Sequence, residues 1–255
     1  MGSVKLNRLI RIGSLLAYLI SAGKVSADEF PEILQGDLGV GGYYTGAIVR
    51  GSQDTPVYLP YTNLQYQRAF VRIDTPGIKT LAMGYGHLEL IGRISFDGID
   101  THTSNLRGLN TRKPSLPLGI GTLQITPVGG FHFNLFHDVG ASQGHRFEFS
   151  YAAQIDLTPV TLYPLVGSEY LSQNYVGYYY GVSAQEATAS SFTYYQPTGT
   201  LNNYIALIAH IKLSNEFYLN AYARYKKLGS AISASPIVNK QFMDTAYIAM
   251  SYRFK

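Results

Sequence analysis

Arg146-Phe147-Glu148-Phe149-Ser150-Tyr151-Ala152-Ala153-Gln154-Ile155-Asp156 is the stretch that decides the fold. Phe147, Phe149, Tyr151, Ala153 and Ile155 alternate with Arg146, Glu148, Ser150, Ala152, Gln154 and Asp156, the period of two that sends successive side chains to opposite faces of a strand. One face is apolar and the other is wet or internally paired. The pattern recurs at His87 to Asp97, where Leu88, Leu90, Ile94 and Phe96 oppose His87, Glu89, Arg93, Ser95 and Asp97. It returns from Phe217 to Lys226 and again from Thr245 to Phe254. Segments of about ten residues have the length a tilted strand needs to cross a bilayer.

A soluble sandwich alternates in the same way, so the connections decide. Strands are expected near 37–49, 61–73, 78–97, 117–127, 131–138, 145–156, 159–167, 199–213, 216–227 and 243–254. Short links at Asp74-Thr75-Pro76-Gly77, Val128 to Gly130, Leu157-Thr158 and Ser214-Asn215 then alternate with long ones at 50–60, 98–116, 139–144, 168–198 and 228–242. That sorting, with an even strand count, describes an all-β, antiparallel, up-and-down transmembrane barrel with both termini in the periplasm. About ten strands are expected, or twelve with Asn174 to Val182 as an added strand. The segment 61–73 fits poorly, because Arg68 and Arg72 share a face with Leu64, Tyr66 and Phe70.

Composition agrees. Of 255 residues, 46% are hydrophobic and only 14% charged, which excludes intrinsic disorder, and the absence of cysteine excludes a disulfide scaffold. The 22 tyrosines suit the aromatic girdles of a barrel. Lys5, Arg8, Arg11 and Lys24 carry the whole formal charge of +4, and no nucleic-acid partner is expected once they are set aside. Those four lie in a segment with a cationic start, an apolar Ile12 to Gly23 core and Val25-Ser26-Ala27, which reads as a cleaved signal peptide over 1–27. The barrel domain is expected over 28–255.

A barrel of about ten strands has a lumen filled by side chains. Glu89, Arg93, Arg146, Glu148, Arg224 and Arg253 are expected inside it as a structural polar network, joined by His87, Asp156, His210, Lys212 and Lys226. His137-Asp138 with Ser142 holds triad residue types, but neighbours on a strand face opposite ways. The same rule separates His132 from His137 as metal ligands. Gly39, Gly41 and Gly42 precede strand-like residues, which is no setting for a phosphate loop. No catalytic, cofactor or metal site is expected. Ser183 and Glu186 have the spacing of a capping box, which predicts a short helix in or over the mouth.

Tyr178-Tyr179-Tyr180-Gly181-Val182-Ser183, Gln185-Glu186-Ala187, Tyr194-Tyr195, Leu106-Arg107-Gly108-Leu109, Ser235-Pro236-Ile237-Val238 and the closing Tyr252-Arg253-Phe254 carry a resemblance spanning nearly the whole chain. On these residues the sequence resembles the MltA-interacting protein family, also called the OmpV family, of Gram-negative outer membranes. The resemblance implies an exported, non-enzymatic outer-membrane scaffold that joins a membrane-bound lytic transglycosylase to a bifunctional penicillin-binding murein synthase. Other members look like surface adhesins or antigens, and a small selective channel is a third expectation. Tyr180, Gly181, Val182, Ser183 and Glu186 form the family motif loop. Tyr252 and Phe254 would be the C-terminal signal for the barrel-assembly machinery, although Lys255 follows them and Tyr180 stands where Phe is common. Outer-membrane lipid is the remaining expected partner.

Overall fold

Alternating side chains turn each long strand into a two-faced ribbon, and only a closed sheet hides both its edges in a bilayer. The computed structural model describes residues 30–52, 54, 56–99 and 104–254. The expected signal peptide, 1–27, and Lys255 lie outside them. The strands are β1 (Gln35–Thr45), β2 (Val57–Tyr66), β3 (Ala69–Arg72), β4 (Thr75–Met83), β5 (Gly86–Gly92), β6 (Pro117–Thr126), β7 (Gly129–Asp138), β8 (His145–Ala152), β9 (Ile155–Leu157), β10 (Val160–Leu171), β11 (Thr200–Lys212), β12 (Phe217–Lys227) and β13 (Phe242–Phe254). Each pairs antiparallel with its sequence neighbour, β13 pairs with β1, and β8 and β9 form one interrupted strand along β10. The result is a closed twelve-stranded barrel.

Twelve replaces ten because two of the expected strands are hairpins. The segment 61–73 turns at Gln67-Arg68, with Gln67 at φ 47, and 78–97 turns at Gly84-Tyr85, with Gly84 at φ 60. The first turn explains the poor alternation, since it resets the parity and leaves the Arg68 guanidinium to donate to the carbonyl of Thr80 at 2.7 Å. The expected link at Asp74 to Gly77 also moves. The chain reverses at Ile73-Asp74, and Thr75, Pro76 and Gly77 begin β4. Asn174 to Val182 is no strand. It forms most of a helix, α1 (Gln173–Tyr180).

The connections still sort by length. Turns 67–68, 84–85, 127–128, 158–159 and 213–216 share one end with Gln35 and Phe254, and 46–56, 93–116, 139–144, 172–199 and 228–241 share the other. The one exception is 73–74, which belongs with the long loops but joins two strands that stop early. Asn63 is the last β2 residue to pair with β3, so among the described residues Val57 to Tyr61 pair on one side only, with β1. The carbonyl of Thr62 accepts from the Ile73 amide at 2.6 Å, and alternation turns the backbone of Pro60 toward the same open side. Proline, which has no N–H to leave unpaired, suits that edge.

Outside, Leu38, Val40, Leu90, Ile120, Leu135, Val166, Ile205, Ile248 and Met250 form an exposed apolar band. Aromatic pairs flank it, with Phe217 and Tyr252 5.5 Å apart near the short turns and Tyr225 stacked on Phe242 at 4.9 Å near the long loops. The main buried apolar cluster sits inside the long-loop end.

Candidate functional site

The lumen is polar because every inward position of a strand alternates with a lipid-facing one. Arg72 on β3 holds Glu89 on β5 through both nitrogens at 2.8 and 2.7 Å. Arg93 bonds Glu148, and Asn134 donates to the second oxygen of Glu148 at 3.3 Å. Arg146 reaches Glu169 at 3.6 Å, and Lys226 reaches the same carboxylate at 2.7 Å. Nearer the short turns, Arg253 binds Asp37 at 2.6 Å with its guanidinium over the Tyr218 ring.

Five of the six expected residues thus join carboxylate pairs, and Arg224 does not. It lies inside the barrel but, among the described residues, donates only to the Thr245 hydroxyl, at 3.2 Å. Asp37, Arg72 and Glu169 belong to the network and were missed. Glu169 falls in the expected loop 168–198, and the parity slip obscures Arg72. Asp156 lies past the break between β8 and β9 and is exposed.

A plug closes the long-loop end over this network. Ser172 precedes α1, whose Tyr175, Val176 and Tyr179 recur at helical spacing and are buried. They pack with Ile48 and Val49, Leu106 and Leu109, Leu228, Ile232, Ile237 and Val238, so four of the long loops share one core. The second helix, α2 (Ala184–Ala189), starts at the expected capping box: Glu186 N–H donates to Ser183 Oγ at 3.2 Å, and Ser183 N–H donates to Glu186 at 2.9 Å. A third, α3 (Ser230–Ser233), offers its Ala231 carbonyl to the Tyr195 hydroxyl at 3.0 Å.

Arg112 ties these pieces together. Its guanidinium binds Glu186 at 2.8 Å and donates to the Gly181 carbonyl at 3.2 Å, while Asn110 N–H donates to Glu186 at 2.9 Å. Burial pushes the Glu186 carboxyl up, but Arg112 and the Ser183 and Asn110 amides outweigh it and hold the group at about 2. Gly108 has φ +92, and a Cβ there would stand 2.1 Å from the Ala189 carbonyl oxygen, so the loop can meet α2 only as glycine. Tyr175 joins plug to lumen: its hydroxyl donates to Asp97 and accepts from Arg146. Burial opposes ionisation of Asp97, yet the Ser115 amide and the Tyr175 and Ser115 hydroxyls keep it below its ordinary value.

The motif segments that lie far apart in sequence therefore meet in one object. Leu106 to Leu109, Tyr178 to Ala187, Tyr195 and Ser235 to Val238 all build the plug, with Ser235 Oγ donating to the Tyr180 carbonyl at 2.6 Å. Tyr252 and Phe254 lie at the opposite end, their rings 6.3 Å apart.

The triad residue types do not assemble. Ser142 Oγ donates to Asp138 at 2.6 Å and fixes the 139–144 turn, while His137 lies on the other face against His145 at 4.8 Å. Among the described residues no cluster of three or more His, Asp or Glu could hold a metal.

A family model described as MltA-interacting protein MipA matches residues 38–254. The MltA-interacting protein of Escherichia coli is 26% identical over 160 residues, which is 62% of this chain and 64% of that one. The outer membrane protein OmpV of Vibrio cholerae is 26% identical over 152 residues, 59% of each. Among solved structures, the NanC porin is 8% identical with a TM-score of 0.43, covering 85% of this chain and all of that one.

Proposed function

The chain belongs to the MltA-interacting protein family of outer-membrane proteins, and on that premise we propose that it is a non-enzymatic scaffold bringing a lytic transglycosylase together with a bifunctional penicillin-binding murein synthase. One observation supports the reading: the main buried apolar cluster packs four of the long loops against one another at one end of the barrel, which makes that end a built surface. With the short turns in the periplasm, as the length sorting of the loops favours, the partners meet the rim formed by 67–68, 84–85, 127–128, 158–159 and 213–216. Val128, Leu157, Leu213 and Tyr85 are exposed on it.

The test is co-purification of the tagged full chain from native outer membranes with both enzymes, using an unrelated barrel as control. Enrichment of the transglycosylase above the control is the expected result, and equal recovery from both barrels would end the scaffold reading. The adhesin reading has one supporting observation, an open cleft of about 640 Å³ among the long loops lined by Arg50, Asn105, Phe192, Pro236 and Asn239. It predicts that changes at Phe192 abolish attachment to host or matrix and leave the enzyme contacts intact.

A further inference from the structure

Four of the five inward arginines have a carboxylate. Arg72 has Glu89 at 2.7 Å, Arg93 has Glu148, Arg146 has Glu169 at 3.6 Å, and Arg253 has Asp37 at 2.6 Å. Arg224 has none among the described residues. It makes one hydrogen bond, to Thr245 Oγ1 at 3.2 Å, and lies 5.6 Å from the centre of the Tyr204 ring, while its Nε is buried without a partner. Glu169 cannot serve it, because Lys226 and Arg146 already share that group.

A guanidinium whose Nε is buried and which has no bound anion is unfavourable, and the planar fork with spare N–H donors matches an oxyanion. The surroundings add hydroxyl donors; Glu148, Glu169 and Asp74 lie within electrostatic reach, but among the described residues none of them bonds Arg224 or these hydroxyls. Tyr222 is the next inward residue on β12 and stacks on Tyr247 at 5.4 Å; Tyr247 lies opposite Tyr43 in the register, and Tyr61 is 6.0 Å from Tyr247. No hydrogen bond joins the hydroxyls of Tyr43, Tyr61, Tyr204, Tyr222 or Tyr247 to another described residue. Hydroxyls set around one cation suit a tetrahedral anion with acceptors on every side better than a planar carboxylate.

We propose that Arg224, with Tyr43, Tyr204, Tyr222 and Tyr247, forms an anion site inside the barrel for a phosphate group. The group arrives either free, through the short-turn end, or as a lipid headgroup, through the step in the wall where Val57 to Tyr61 have no paired strand on one side among the described residues. This site is independent of the scaffold role.

Titration of the full chain in zwitterionic detergent with inorganic phosphate, and native mass spectrometry of the same protein with phosphatidylglycerol, test it. One bound equivalent of either probe is expected, weakened about tenfold or more in Arg224→Gln as a charge-assisted bond is lost. Phosphate binding identifies a free anion; binding of the lipid alone identifies a headgroup. Failure of both probes overturns the site, and so does wild-type affinity in Arg224→Gln. Should that variant not fold, as judged by heat-modifiable gel migration, Tyr247→Phe keeps the ring and removes the hydroxyl. A loss of about threefold is then expected, and unchanged affinity overturns the proposal.

Discussion

Glu186 and Arg112 set how firmly the mouth is closed. Both side chains are nearly buried, at 5% and 9% exposure, so removing one strands the other. Glu186→Ala should destabilise the plug by about 3–5 kcal/mol, read as a lower melting temperature in detergent. The pH dependence follows from a depressed carboxyl. Stabilisation is complete above the ordinary 4.5 and is lost as the pH falls through about 2. Near-UV circular dichroism of the tyrosine-rich plug should hold to about pH 4.5 and then decline, and Glu186→Gln should remove the part of that step due to Glu186, leaving the part set by Asp97. The capping box was legible because its two members are three residues apart. Arg112 was not, because its partner comes from another loop, and no local period reports a contact closed by the fold. Arg224 shows the same limit, since alternation gives the face of a side chain and says nothing of whether an acid stands opposite.

At the level of elements, alternation identified β8, β12 and β13 within a few residues, and failed at two tight reversals, Gly84-Tyr85 with its glycine at φ 60 and Gln67-Arg68 without turn chemistry. Gln67-Arg68 contains neither Gly nor Pro, so the slip of parity at Arg68 was the only mark of the β2–β3 reversal. In α1 the aromatic run Tyr178-Tyr179-Tyr180 reads as strand by composition, and Tyr175 with Tyr179, four apart and both buried, shows the helix. These helices fill the mouth, which yields an electrical prediction. The intact protein should show no stepwise conductance in planar bilayers, and deletion of 173–189 should produce it. Equal conductance in both would mean that the plug does not seal the lumen.

The whole molecule is a barrel with one sealed end, short turns at the other, and lipid-facing apolar side chains between. Its lack of cysteine makes orientation measurable with single introduced thiols. A membrane-impermeant maleimide added to intact cells should label Thr193→Cys in the long loops and spare Val128→Cys at the short-turn end; the reverse pattern would invert the topology. Family and barrel were legible because both are written along nearly the entire chain. The working surface was not, because partner contacts leave no period in the sequence. The most direct test places a photo-crosslinking residue at Val128, Leu213 or Phe192 in living cells. Adducts with the transglycosylase or the murein synthase from Val128 or Leu213, and none from Phe192, are the predicted result. Adducts with those enzymes from Phe192 alone, or from none of the three sites, would contradict a scaffold that works through its short-turn rim.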